Sequence, residues 1–314
     1  MNSKALYPQT MIALVVGSLL TFPSPARAAE GAVPAKQLFG YHSTAAPLAA
    51  AAIGSYARGC LAGGQPIATE GPGWQAMRLS RNRNWGHPDL VAYLKTFARD
   101  VRAAGEWNGL LIGDLSQPRG GPMLSGHASH QIGLDADIWL NEMPERIYTK
   151  KERETVSAVS VVNFQTKEVD RKVWTERHAT LIKRATSYPS VARIFVNPII
   201  KKELCRTAGS DRRYLRKVRP WAGHHYHMHI RLKCPKGAAS CKDQAAPPAG
   251  DGCGEDLARW FRPPPPGRKT KKRALRPPLT LARLPVMCAR VVREATVTLP
   301  VFPPSNPPRP RVRP

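Results

Sequence analysis

A chain of 314 residues, 42% of them hydrophobic, is long enough for one large domain or two smaller ones, which excludes a chain disordered throughout. Its 48 lysines and arginines against 22 acidic residues give a formal net charge of +26. Such an excess suits an anionic partner, whether nucleic acid, an anionic membrane face or an acidic polysaccharide wall, although most of these charges have the plainer reading of a solvated surface. At the N-terminus, Met11 to Phe22 (MIALVVGSLLTF) is too short for a membrane span, follows Lys4 and precedes Ala26-Arg27-Ala28, a small-x-small pattern. Residues 1–28 read as a secretory signal peptide, with an uncleaved anchor as the alternative. No later apolar run is long enough to cross a bilayer, so no integral membrane segment is expected after the signal is removed. Export makes nucleic acid the least suitable of the three partners, and no aromatic stacking motif or recognition helix supports it.

The six cysteines, Cys60, Cys205, Cys234, Cys241, Cys253 and Cys288, all follow the proposed cleavage point. An even number bound for an oxidising compartment reads as a set of disulfides, and the absence of any CxxC pair argues against a thiolate metal site. Spacing alone leaves their connectivity open. The folded part is expected from about Phe39 to Phe261, inside a domain over 29–261. Within it Leu90, Leu94, Phe97 and Val101 recur at helical spacing after Pro88-Asp89, and Trp174, His178, Leu181 and Ala185 form a second such stripe. His178 accordingly reads as a core-facing or rim residue. Short β-prone runs lie at Leu110 to Ile112, Leu134 to Leu140, Arg193 to Val196 and Tyr226 to Leu232. Helices and strands mix without regular βαβ alternation, which favours an α+β domain with a small, mainly antiparallel sheet. Residues 262–314 read as a Pro-rich basic tail, because Arg268 to Arg276 (RKTKKRALR) sits between Pro263-Pro264-Pro265-Pro266 and Pro277-Pro278.

Two of the strands carry chemistry. Gly223 to Leu232 reads GHHYHMHIRL and concentrates four of the nine histidines of the chain. In an extended Tyr226 to Leu232, His227 and His229 project from one face and Met228 and Ile230 from the other. LDADIWL likewise puts Asp135 and Asp137 on one face, with Leu134, Ala136 and Ile138 opposite. Just before it, GHASHQIG holds His127 and His130 in a glycine-flanked loop. Two histidines and a carboxylate converging from loop and strand form the ligand set of a catalytic zinc, with a further position open to water. A spare histidine beside them can act as general base. No GxSxG motif offers a nucleophilic serine.

The segments SGHASHQIGLDADIW, RIFVNP, LRKVRPW and HMHIRLKCP, with NWGHPDL and GDGCG, closely resemble the penicillin-insensitive murein endopeptidases over roughly Ser55 to Phe261. These are grouped with lysostaphin, D-alanyl-D-alanine peptidases and the hedgehog N-terminal domain, which share H-x6-D and a later HxH. His130 and Asp137 have the first spacing and His227-Met228-His229 supplies the second. The resemblance implies that His130, Asp137 and His229 bind a catalytic zinc and that His227 is the general base. It places His127 as a further metal contact and His224 as a residue orienting substrate or transition state. His225 is read as a surface residue, and Asp135 matches no family ligand. A second zinc, which some relatives hold just before the KVW segment, is doubtful because SVVNFQTKEVDRKVW contains no histidine. The resemblance further implies bridges Cys60–Cys288, Cys205–Cys253 and Cys234–Cys241. The implied activity is hydrolysis of D-alanyl–meso-diaminopimelyl cross-links in peptidoglycan, insensitive to penicillin, in the periplasm. A murein D,D- or L,D-carboxypeptidase and a non-catalytic wall-binding protein are the alternatives.

Overall fold

The computed structural model describes residues 33–263 and 277–295. The signal peptide expected at 1–28 and the basic run Arg268 to Arg276 lie outside the described residues. Thirteen strands and seven α-helices are described, and no described helix is long and apolar enough to cross a membrane.

Strands β1 (Ala51–Ser55) and β2 (Arg58–Ala62) form a hairpin, and β3 (Gln65–Pro66) pairs with β6 (Trp85–Gly86). The central sheet has seven strands. From one edge to the other they are β12 (Val218–Pro220), β11 (Val191–Val196), β13 (His227–Leu232), β8 (Asp135–Trp139), β7 (Leu110–Ile112), β5 (Trp74–Ala76) and β4 (Glu70–Gly71). The α+β class agrees with the sequence expectation, but the sheet is larger than the small one expected. Its pairings β11–β12 and β5–β7 are parallel, while β11–β13, β13–β8, β7–β8 and β4–β5 are antiparallel. The remaining strands, β9 (Val162–Asn163) and β10 (Glu168–Val169), form a separate hairpin. Apart from β1 and β2, the strands not expected from the sequence are two or three residues long, too short to carry an alternation that can be read in advance.

Period-two alternation gives the sheet two unlike faces. Ala136, Ile138, Met228, Ile230, Ile194 and Val196 turn to one side and join the main hydrophobic core. That face is covered by α2 (Pro88–Ala103) and α4 (Glu176–Ser187), whose Leu90, Leu94, Phe97, Val101, Leu181 and Ala185 belong to the same core. Full burial of each large aliphatic side chain contributes about 1.5–3 kcal/mol. Helix α2 starts where Pro88 occupies the first turn and His87 Nδ1 accepts the Asp89 amide at 3.2 Å. His178 has the core role expected of it. It closes the capping box of α4 through Nδ1, stacks on Trp174 and brings Nε2 to within 3.0 Å of the Leu140 carbonyl. Helix α5 (Pro198–Thr207) follows β11 directly, capped by Asn197.

The opposite face carries Asp135, Asp137, His227, His229, Arg231, Arg193 and Phe195, all buried. A row of ionisable groups there is paid for only by mutual pairing or by a bound ion.

The boundary placed at 262 needs correction, because residues 277–295 return to the folded body. Leu281, Leu284, Cys288 and Val291 share a second core with Ala35, Phe39, Ile53 and Cys60. This core joins the β1–β2 hairpin to α1 (Ala35–Gly40) and α7 (Met287–Arg293). Fully buried Arg119 donates to the carbonyls of Val291, Val292 and Glu294, groups that the end of a helix leaves without an internal partner. The structure pairs Cys60–Cys288, Cys205–Cys253 and Cys234–Cys241, as the resemblance implies. Flanking prolines and arginines hide this return in the sequence, since α7 is only seven residues long.

Candidate metal centre

Antiparallel register between β8 and β13 sets the site. His229 lies opposite Asp137, Arg231 opposite Asp135 and His227 opposite Trp139. On the other flank of β13, Phe195 lies opposite His229. The loop before β8 then brings His130 against the strands. Gly133, at φ +70°, allows the chain to pass there, because a Cβ would meet Leu61 at 2.7 Å and the His87 amide at 2.8 Å. His130 itself is left-handed at φ +68°, a strain of order 1 kcal/mol or more for a non-glycine residue. Its backbone amide is anchored on Asp135 Oδ2 at 3.0 Å.

Asp137 is the hub. Its Oδ1 lies 3.3 Å from His229 Nδ1, 3.5 Å from His130 Nε2 and 3.6 Å from His227 Nε2, and its Oδ2 lies 3.6 Å from His127 Nδ1. These separations exceed the usual 2.7–3.2 Å of an N–H···O bond. Asp137 Oδ1, both ring nitrogens of His130, Nδ1 of His227 and Nε2 of His229 are buried without a hydrogen-bond partner. Leaving such atoms unpaired costs about 1–3 kcal/mol each. Donor atoms about 2.0–2.1 Å from a shared zinc at tetrahedral angles stand roughly 3.4 Å apart, which is the spacing found around Asp137. The residues present therefore fit a cation. Among the described residues, His127, His130 and Asp137 offer ligand atoms that all lie within 4.8 Å of one another. The His130 and His229 rings approach to 4.5 Å.

Two further carboxylates orient the imidazoles. His127 Nε2 lies 3.0 Å from Asp114 Oδ2, and Asp114 is held in turn by Arg83 at 2.8 Å and Arg81 at 3.1 Å. Burial opposes ionisation of Asp114, but His127 and Arg83 outweigh it and bring its pKa to about 2. His229 repeats the arrangement, with Nδ1 toward Asp137 and Nε2 3.2 Å from Asp135 Oδ1. Asp135 is gripped by the Arg231 fork, Nε to Oδ1 at 2.8 Å and Nη2 to Oδ2 at 3.0 Å. Burial would raise its pKa, yet Arg231 and His229 hold it well below the usual carboxylate range. Asp135 thus stands behind the cluster as a support for His229 and His130. Carboxylates in this position fix ring orientation and tautomer.

Burial, the largest influence, lowers His227 and His229 to about 4, so both present lone pairs at neutral pH. At His130 burial is outweighed by Asp137, Asp135 and Asp114, which raise its pKa. Burial also pushes Asp137 upward, but His227 and His130 hold it well below the ordinary value. His224, left-handed at φ +50°, sets Nδ1 2.9 Å from the Ala222 carbonyl, with its ring 4.9 Å from that of His227. Since a carbonyl only accepts, Nδ1 carries the proton and Nε2 is free to accept. His225 stands outside the cluster, its ring against Phe164 and Tyr226.

His127, Asp137 and His227 line a cavity of about 250 Å³ with Arg78, Tyr226 and Trp139. On the far side Phe195, whose ring meets His229 edge-on at 5.3 Å, forms a wall of a second depression of about 540 Å³. The first cavity is lined by the cluster itself, and the second adjoins it through Phe195. Asp114 and Arg231 are the participants that sequence reasoning missed. Arg231 was readable in principle, because it continues the His227, His229 parity on β13, whereas Asp114 reaches the site only through the fold.

A buried carboxylate ringed by imidazoles beside an open cleft defines a class of site, one with the donor atoms to hold a cation. The family model described as penicillin-insensitive murein endopeptidase matches residues 52–293. The chain is 46% identical over 243 residues to a penicillin-insensitive murein endopeptidase of Haemophilus influenzae, covering 77% of this chain and 82% of that protein. Proteins of the same name from Klebsiella pneumoniae subsp. pneumoniae and Pectobacterium atrosepticum are 45% and 44% identical, over 73% and 72% of this chain and 83% and 80% of their own. The chain belongs to the penicillin-insensitive murein endopeptidase family, peptidases whose substrate is peptidoglycan.

Proposed function

We propose that the chain is a zinc-dependent D,D-endopeptidase that hydrolyses D-alanyl–meso-diaminopimelyl cross-links in the periplasm. The observation that carries this reading is Asp137 Oδ1 and His130 Nε2, both buried without a hydrogen-bond partner and 3.5 Å apart, with His229 Nδ1 3.3 Å from the same oxygen. His130, Asp137 and His229 would hold the zinc, with His127 as a further contact. When bound, the ion polarises the scissile carbonyl and makes water acidic enough to attack near neutral pH. His227 faces the cleft beside the ligands, is neutral, and has the lone pair to take the proton of the attacking water. The resulting imidazolium, next to Asp137, then gives its proton to the leaving amine. His224, with Nε2 able to accept, orients substrate on the opposite flank.

The family supports an endopeptidase over a carboxypeptidase, since the matching family model and the relatives carry that description. Insensitivity to penicillin follows from the chemistry, since no serine is acylated. The +26 charge suits a wall rich in carboxylates.

Incubation of the purified protein with cross-linked muropeptide dimers, with and without a chelator, tests the reading. Dimers become monomers only while zinc is available, and His227→Ala binds zinc but loses turnover by about 10²–10⁴-fold. Intact dimers in the presence of bound zinc would favour a wall-binding module. Loss of a terminal D-alanine without dimer cleavage would favour a carboxypeptidase.

A further inference from the structure

The depression beyond Phe195 takes no part in the chemistry above, yet strand pairing ties it to the cluster. Arg219 lies opposite Phe195, Phe195 opposite His229, and His229 opposite Asp137. With neighbouring strands about 4.8 Å apart, Arg219 stands roughly 10 Å along the sheet from His229, the span of about three residues of extended peptide. Arg193 shares a face with Phe195 by alternation and lines the same depression, as do Arg259, Trp221 and Trp260.

The charges in this pocket do not cancel. Asp256 is the acidic residue of the lining; it pairs with Arg259 and lies 3.7 Å from Arg219. Arg231, behind the wall, is committed to Asp135 and to Gln244 Oε1 at 2.8 Å. Arg193 is only 7% exposed, donates one amino group to the Ala245 carbonyl, and keeps a buried Nε without a partner. Burial, followed by the like charges of Arg231 and Arg219, pushes its pKa down. Three guanidinium groups therefore face one carboxylate in a recess walled by two indoles.

We propose that this depression is a subsite for a free carboxylate of the stem peptide, held by Arg219 and Arg193, with Trp221 and Trp260 flanking the aliphatic chain that bears it. The inference rests on the peptidase reading for the identity of the ligand. Two stem groups have this chemistry, the carboxylate of the diaminopimelyl residue and the terminal carboxylate of D-alanine. Planar guanidinium forks match such a group in two parallel hydrogen bonds.

Isothermal titration of the mature protein with uncross-linked tetrapeptide muropeptides separates the sources. The probes are the free acid, the peptide amidated at the diaminopimelyl carboxylate and the peptide amidated at the terminal alanine. Amidation at the recognised carboxylate weakens binding about ten-fold or more, and Arg219→Gln weakens binding of the free acid by a similar factor while erasing that preference. Arg259→Gln, at a largely exposed side chain, gives a smaller loss in the same direction without threatening the fold. Equal affinity of the wild type for all three peptides, or an undiminished preference in both variants, overturns the subsite. Dimer cleavage measured alongside keeps the two readings apart. Carboxylate-dependent binding without cleavage contradicts the peptidase alone, and cleavage without carboxylate preference contradicts the subsite alone.

Discussion

His229 meets two carboxylates at once, Asp137 through Nδ1 and Asp135 through Nε2, and the two have different tasks. Asp137 has a buried oxygen with no hydrogen bond, which suits the ligand role proposed for it. Asp135 accepts from both arms of the Arg231 fork and from the His130 amide, the mark of a support. The Asp135→Asn variant would keep the shape of the side chain while weakening the grip on His229 and leaving the Arg231 charge buried and half-paired. Zinc affinity is expected to fall about 10–100-fold. Competition with a chromogenic chelator measures this, and an unchanged affinity would return Asp135 to a purely structural role. The sequence showed DADIWL and HMHIRL as strands with one polar face each, because alternation needs no knowledge of the fold. It did not distinguish the two aspartates by task, since that depends on the register that sets Arg231 opposite Asp135 and His229 opposite Asp137.

At the scale of elements, β8 and β13 hold five of the site side chains, Asp135, Asp137, His227, His229 and Arg231, while His130 and His224 arrive on loops in left-handed backbone conformations. Strain of this kind persists only where neighbours over-determine it. For His224 the neighbour is Asn197, the residue between β11 and α5. Its Oδ1 accepts the Ile199 amide at 3.0 Å, its Nδ2 donates to the Gly223 carbonyl at 2.8 Å, and its backbone amide donates to the His224 carbonyl at 2.9 Å. One side chain thus caps a helix and fastens the loop of a site histidine. Asn197→Ala is expected to destabilise the fold by about 1–2 kcal/mol, read from urea denaturation. It should also lower dimer cleavage while zinc content stays unchanged. A stability loss with full activity would show that the loop keeps its shape without the cap. The RIFVNP segment was legible as a strand followed by a break, but the reach of Asn197 to Gly223 was not, because the two lie far apart in sequence.

Across the whole molecule, the fold closes on itself through Cys60–Cys288, which spans 228 residues, and through Arg119 under the end of α7. The long basic stretch after residue 262 conceals this return, and only the family resemblance pointed to Cys288. Cys288→Ser, which also frees Cys60, is expected to lower stability by about 2–5 kcal/mol in denaturant titration. The cluster at Asp137 is built on the polar face of β8 and β13 and not on this second core, so zinc content of the folded variant should match the wild type. A stability loss below about 0.5 kcal/mol would mean that packing alone closes the terminus.

The measurement that bears most directly on the account is zinc content after dialysis of the wild type and of separate His130→Ala and His229→Ala variants. The account predicts about one ion per wild-type chain, and in each folded variant a large loss of bound zinc. Wild-type zinc retained in both variants would contradict it, because the ion would then be held elsewhere than between the loop of His130 and the strand of His229.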